Sequence, residues 1–222
     1  MPPLARSTLK RKYGGTYQTA GYKKRMATTG SVQTAPAPRR VELKYDDGRF
    51  SGAISSTPAI VLLSTIQNGN GANERIGRRV TYYNIEMSWI WRYTANHGGP
   101  NHARFTVIYD NAPNGTAPAY LDMFVSTAVE SLTNPDTRSR FTVLFDSRCI
   151  SAVNDPVATG DMSWSNFNGH KTVSLKNKKA QYIGTLDTIG SIEKGAIYLV
   201  SNSYQNNVVA LDFSNRIQFT DA

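Results

Sequence analysis

The residues with the plainest chemical message are basic, and they gather at one end of the chain. Residues 1–40 hold Arg6, Lys10, Arg11, Lys12, Lys23, Lys24, Arg25, Arg39 and Arg40, and no Asp or Glu. Lys and Arg displace condensed counterions from phosphates, an interaction that ignores base sequence and weakens with salt. These nine residues are therefore the candidate nucleic-acid-binding set. Two clusters among them, Lys10-Arg11-Lys12 and Lys23-Lys24-Arg25, stand ten residues apart. That is the spacing of a bipartite nuclear-localisation signal, which an import receptor reads as extended chain entering acidic, aromatic-lined pockets. The same clusters would serve equally for phosphate neutralisation alone. Tyr13, Tyr17 and Tyr22 lie between them. They are placed either to stack on unpaired bases, worth about 1–3 kcal/mol each, or to act as spacers.

Residue types that do covalent or metal chemistry are sparse. His97, His102 and His170 lack metal-ligand spacing. Cys149 falls within an apolar run and reads as a buried, inert thiol. Neither a Gly-x-Ser-x-Gly elbow nor a phosphate loop is present. Asp155 and Asp161 share a loop with His170, where turn chemistry accounts for them. The expectation is a protein that is not an enzyme, with no catalytic residue, no metal and no cofactor. One cysteine excludes an intramolecular disulfide and points to folding in a reducing compartment. The start lacks a secretory apolar run, and the longest apolar run, Ala59–Leu63, is far too short to span a bilayer.

The elements behind these residues divide in two. Of 222 residues with formal net charge +9, the first 40 carry the whole excess, because the 16 Lys and Arg of residues 41–222 balance 16 Asp and Glu. Such asymmetry points to a polyanion-binding tail on a neutral body. Residues 1–40 offer little large aliphatic surface to offset roughly 1–2 kcal/mol of backbone entropy per ordered residue. They are predicted to be a disordered basic arm, with Ala35-Pro36-Ala37-Pro38 as a stiff hinge. A short helix over 7–12 that forms on binding stays open.

Residues 41–222 read as one domain of strands. Tyr83–Tyr93 matches period two at six positions, with Tyr83, Ile85, Met87, Trp89, Trp91 and Tyr93 expected on one face, between sheets. Further strands are expected near 41–45, 59–65, 103–110, 140–150, 171–183, 195–201 and 207–219. Pro118–Val129 is the one helical stretch, with Leu121, Phe124, Val125 and Ala128 at helical spacing. Eight strands with irregular connections suit an all-β, eight-stranded antiparallel jelly-roll sandwich with one short helix. Lettered B to I in chain order, the sheets become B-I-D-G and C-H-E-F, with the helix in the E–F connection.

Two stretches resemble single-jelly-roll viral coat proteins, those of the satellite tobacco necrosis virus type and of geminivirus-like circular single-stranded DNA viruses. One is Asn73-Glu74-Arg75-Ile76-Gly77-Arg78-Arg79-Val80, an Asn-x-Arg-x-Gly-x-x-Val frame leading into the aromatic strand. The other is Arg104–Asp110 with the Asn-Gly-Thr-Ala-Pro turn that follows. Gly195–Val200 and the ending Phe219-Thr220-Asp221-Ala222 add to the likeness. The resemblance implies self-assembly into a T=1-like shell of about sixty copies, arms inward, located in the virion. Its partners would be a single-stranded viral genome, with circular DNA favoured by the import signal, and a host nuclear import receptor, with the host nucleus as a second location. No membrane is implied. The calcium sites of some satellite coat proteins find no acidic motif here.

On the body, Arg75, Arg78 and Arg79 are expected either at the interior or a copy contact, or as solvated charge flanking a strand. Lys176, Lys178 and Lys179 suit a solvent-exposed sheet edge, or a further contact with nucleic acid. Two other function classes stay open on sequence: a cellular nuclear β-sandwich that binds nucleic acid or carbohydrate, and, with its metal ligands missing, a cupin-type enzyme.

Overall fold

The computed structural model describes residues 42–93, 101–151, 167–176 and 178–221. They belong to the second of two units of the chain, Arg40–Ala222. Among the described residues, ten strands make two antiparallel sheets. The first sheet runs β1 (Lys44–Ala53), β10 (Val209–Asp221), β3 (Arg79–Tyr93), β7 (Lys179–Tyr182), β8 (Ile192–Lys194), with β6 (Phe167–Ser174) also on β3. The second runs β2 (Ala59–Leu62), β9 (Ala196–Ser203), β4 (Asn101–Asp110), β5 (Phe141–Ser151). With β6 and β7 taken together as G, these are the B-I-D-G and C-H-E-F sheets of a jelly roll.

Alternation explains the pairing. Leu211, Phe213, Ile217 and Phe219 of β10 are buried while Ser214 and Arg216 face out. Phe105 of β4 joins the sheets at the centre of the core. Its ring centroid lies 5.5 Å from Trp91 of β3, 5.4 Å from Phe213 of β10, 5.4 Å from Trp89 of β3 and 5.8 Å from Phe145 of β5. Burying each such ring stabilises the sandwich by about 1.5–3 kcal/mol. β4 is buried on both faces, because the connection between β4 and β5 packs over its outer side. Arg104 donates to the carbonyls of Val129 and Ser131 there, and its guanidinium lies 4.8 Å from the Phe124 ring centroid.

Three expectations are corrected. The aromatic stripe does not begin at Tyr83. The β3–β10 register pairs Gln218 with Asn84 but Phe219 with Tyr82, so Tyr83 is an extra residue in a β-bulge. Tyr82 and Val80 consequently turn inward and Tyr83 is exposed. The stretch Pro118–Val129 is not a long helix. Only α1 (Tyr120–Met123) is helical, and the chain then turns extended, with an isolated bridge between Phe124 and Thr133. Leu121 and Val125 point outward, while Tyr120 stacks on Phe124 at 4.7 Å. Strand G is two strands, β6 ending at Ser174 and β7 starting at Lys179, parted opposite the Tyr83 bulge. There the Leu175 N–H donates to the Tyr83 carbonyl and the Tyr82 N–H to the Lys178 carbonyl. No helix among the described residues is long and apolar enough to cross a membrane.

Candidate nucleic-acid interface and shell-contact surface

The nine arm residues Arg6, Lys10, Arg11, Lys12, Lys23, Lys24, Arg25, Arg39 and Arg40 lie outside the described residues, as do both import clusters, His97, Asp155 and Asp161. The basic residues of the body can be located. Arg75 is neither solvated nor at a free surface: it is 1 % exposed. Its Nε donates to the Ile66 carbonyl at 3.2 Å, Nη1 to the Gly77 carbonyl, and Nη2 to the Gly184 carbonyl. The guanidinium stacks 4.0 Å from the Tyr182 ring centroid. Burial lowers its pKa, while the neighbouring Tyr182 and Tyr82 work the other way. Arg75 thus ties the connection before β3 to the one after β7. The Asn-x-Arg-x-Gly frame has a local cause: Gly77, at φ +90°, turns the chain so that its carbonyl meets the arginine two residues earlier.

A second tie was not foreseen. Lys44 is buried, with Nζ 3.0 Å from Asp221 Oδ2 and donating to the Glu74 carbonyl at 2.9 Å. Asp221 Oδ1 accepts from the Ile76 N–H. Lys44 falls on the inward face of β1, whose other face is exposed or half-exposed. Lys44 and Asp46 are the two buried positions at the start of β1, and both are charged. Asp46 Oδ2 accepts from the Thr65 N–H at 3.2 Å. Burial pushes its carboxyl up to about 6 against that hydrogen bond, and the nearby Asp47 and Asp187 add to the rise.

Several apolar side chains are exposed near these ties. Ile76, Ile183 and Leu186 are exposed beside Arg75 and its partner Gly184, and Leu121, Val125 and Leu132 are exposed on the connection between β4 and β5. Of the remaining basic residues, Arg78 and Arg79 are exposed, as expected of charge flanking a strand. Lys176 is exposed in the turn between β6 and β7. Lys179 does not guard a sheet edge, because β7 lies between β3 and β8. Lys178 is half-buried, its Nζ 4.2 Å from the Tyr109 ring centroid. His102 and His170 are exposed, His170 lying 3.5 Å from Glu86, and Cys149 is buried within β5.

Residues 50–222, from the middle of β1 to the end of the chain, match the family described as satellite tobacco necrosis virus coat protein. The chain belongs to that family. A capsid protein of Miscanthus streak virus (isolate 91) is 28 % identical over 177 residues, covering 70 % of this chain and 68 % of the relative. Two solved structures are remotely similar. A Desmodium yellow mottle tymovirus chain is 8 % identical with a TM-score of 0.33, covering 88 % of this chain and 96 % of its own. The infectious bursal disease virus VP2 subviral particle is 11 % identical with a TM-score of 0.25, covering 86 % and 37 %. The protein is a viral coat protein, a structural component of the virion. As a coat protein it forms oligomers.

Proposed function

We propose that this coat protein assembles a T=1-like shell of about sixty copies around a single-stranded genome, circular DNA in our reading, held through residues 1–40. The observation that carries this is the segregation of charge: nine basic and no acidic residues in 1–40, against an evenly balanced 41–222. Nine charges on about sixty arms bring roughly 540 positive charges into one shell, counterions enough for a genome of the order of a kilobase. Lys10-Arg11-Lys12 and Lys23-Lys24-Arg25 serve a second purpose as a bipartite signal for a host nuclear import receptor. That signal favours a genome replicated in the nucleus, hence DNA. The protein has no enzymatic role in this account. Its work is binding, enclosure and release.

Negative-stain microscopy of the purified full chain, with single-stranded DNA supplied, tests the proposal. The expected result is closed particles about 20 nm across, the size of a sixty-copy closed assembly. Monomers and dimers alone, across pH and salt, would contradict it. Import is tested separately by fusing residues 1–30 to a fluorescent reporter: nuclear accumulation is expected, and a cytoplasmic signal would remove that part.

A further inference from the structure

A cleft of about 530 Å³ opens where the start of β3, the end of β4, β7 and β8 meet. Four cations line it, Arg79, Lys178, Lys179 and Lys194, together with Tyr109 and Asn111, and no carboxylate is among its lining residues. The cations come from separate elements and the fold holds them together. Gln181 of β7 pairs with Lys194 of β8, and Thr81 of β3 with Lys179. Gly195, at φ +78°, lets the chain after Lys194 pass directly over β7: a Cβ there would lie 2.0 Å from the Lys179 carbonyl oxygen. Tyr109 is fixed by its hydroxyl, which donates to the Lys179 carbonyl at 2.8 Å, and the Lys178 ammonium rests on its ring.

Of the neighbouring acids, Asp110 is paired with a cation, while Glu193 is held by a neutral amide and keeps its charge beside the four cations. Both oxygens of Asp110 accept from Arg140 at 2.9 Å, and Glu193 Oε2 accepts from Gln181 Nε2 at 2.6 Å. Burial, and then Lys176, lower the pKa of Lys178, the signature of a cation without a compensating carboxylate. Four cations around one concavity repel each other and focus a positive potential into it. An anion placed there relieves the repulsion. The volume lies within the range of sites that take a unit of nucleotide size.

We infer that this cleft is a phosphodiester-binding site for single-stranded nucleic acid, a second contact on the folded body that is independent of the basic arm. It rests on the reading that the shell encloses such a genome, and names a place on the body where the strand is held. Arg79 and Lys194, the two partners of Gln181 on either side of β7, bind successive phosphates, with Lys179 two residues from Gln181 along the same strand and Lys178 resting on Tyr109.

The test uses the full chain and a twelve-residue oligo-dT, with binding read by fluorescence anisotropy over a range of salt. The triple variant R79Q/K179Q/K194Q changes only exposed side chains and leaves Lys178 on its ring. Its log affinity against log salt is expected to flatten by about 2 units, at about 0.7 per lost phosphate contact on a single strand. A second variant with all nine basic residues of 1–40 changed to Gln should flatten it separately, by about 6 units. An unchanged slope in the triple variant overturns the cleft whatever the arm does. An unchanged slope in the arm variant overturns the arm's role and leaves the cleft standing. Loss of slope toward dextran sulfate but not toward oligo-dT assigns the cleft to a sulfated polymer and also overturns the inference. Photocrosslinking of bromodeoxyuridine-substituted oligonucleotide to the unaltered chain needs no variant: adducts at Tyr109 or within 178–194 are expected, and adducts confined to residues 1–40 would contradict the site.

Discussion

Asp46 and Arg75 are both charged residues taken out of water, and the chain treats them differently. Arg75 receives backbone carbonyls and an aromatic face in place of a carboxylate. Burial, and then two acidic neighbours, outweigh the one N–H that Asp46 receives, so its carboxyl rises to about 6. In the unfolded chain an Asp titrates near 3.9. The folded protein therefore binds the extra proton between about pH 4 and 6, and stability falls as pH rises through that window. The cost above it is at most about 3 kcal/mol. Asp46→Asn keeps an acceptor for the Thr65 N–H and removes the titration. Its melting temperature is expected to exceed the parent's at pH 7.5 and to equal it near pH 4. A difference that does not vary with pH would contradict the assignment. Neither residue was legible as buried from sequence, because a single charged side chain reads the same whether it faces water or a buried hydrogen-bond partner.

Strand membership was legible, and strand detail was not. Period-two alternation in 83–93 and 207–219 was enough to place β3 and β10, and chain order then assigned both sheets as they occur. The bulge escaped because Tyr82-Tyr83 offers two aromatics for one inward position, and only the pairing of Phe219 with Tyr82 decides between them. The helix over 118–129 failed for a related reason. Leu121, Phe124, Val125 and Ala128 fit one face on paper, but the outer side of β4 supplies a flat partner that takes Tyr120, Met123 and Phe124 instead. Arg75 staples the two connections by donating to three carbonyls. Arg75→Ala leaves those acceptors unpaired and is expected to cost about 3 kcal/mol or more, read as a fall in the denaturant midpoint. Arg75→Lys should restore little of it, since an ammonium cannot reach separate carbonyls from one planar fork. A midpoint unchanged in both would deny the staple.

At the scale of the molecule, the division between a neutral sandwich and a basic leading segment was the most legible feature of all, because net charge can be counted without knowing a single contact. The family match over 50–222 secures the coat-protein reading of the sandwich. Residues 1–40 carry the proposed cargo-binding half of the function. The most direct measurement is the amount of nuclease-protected single-stranded DNA recovered per particle, comparing the full chain with the variant whose nine arm cations are Gln. The account predicts protected DNA on the order of a kilobase per shell for the full chain and a severe loss for the variant. Equal protection by both would contradict it.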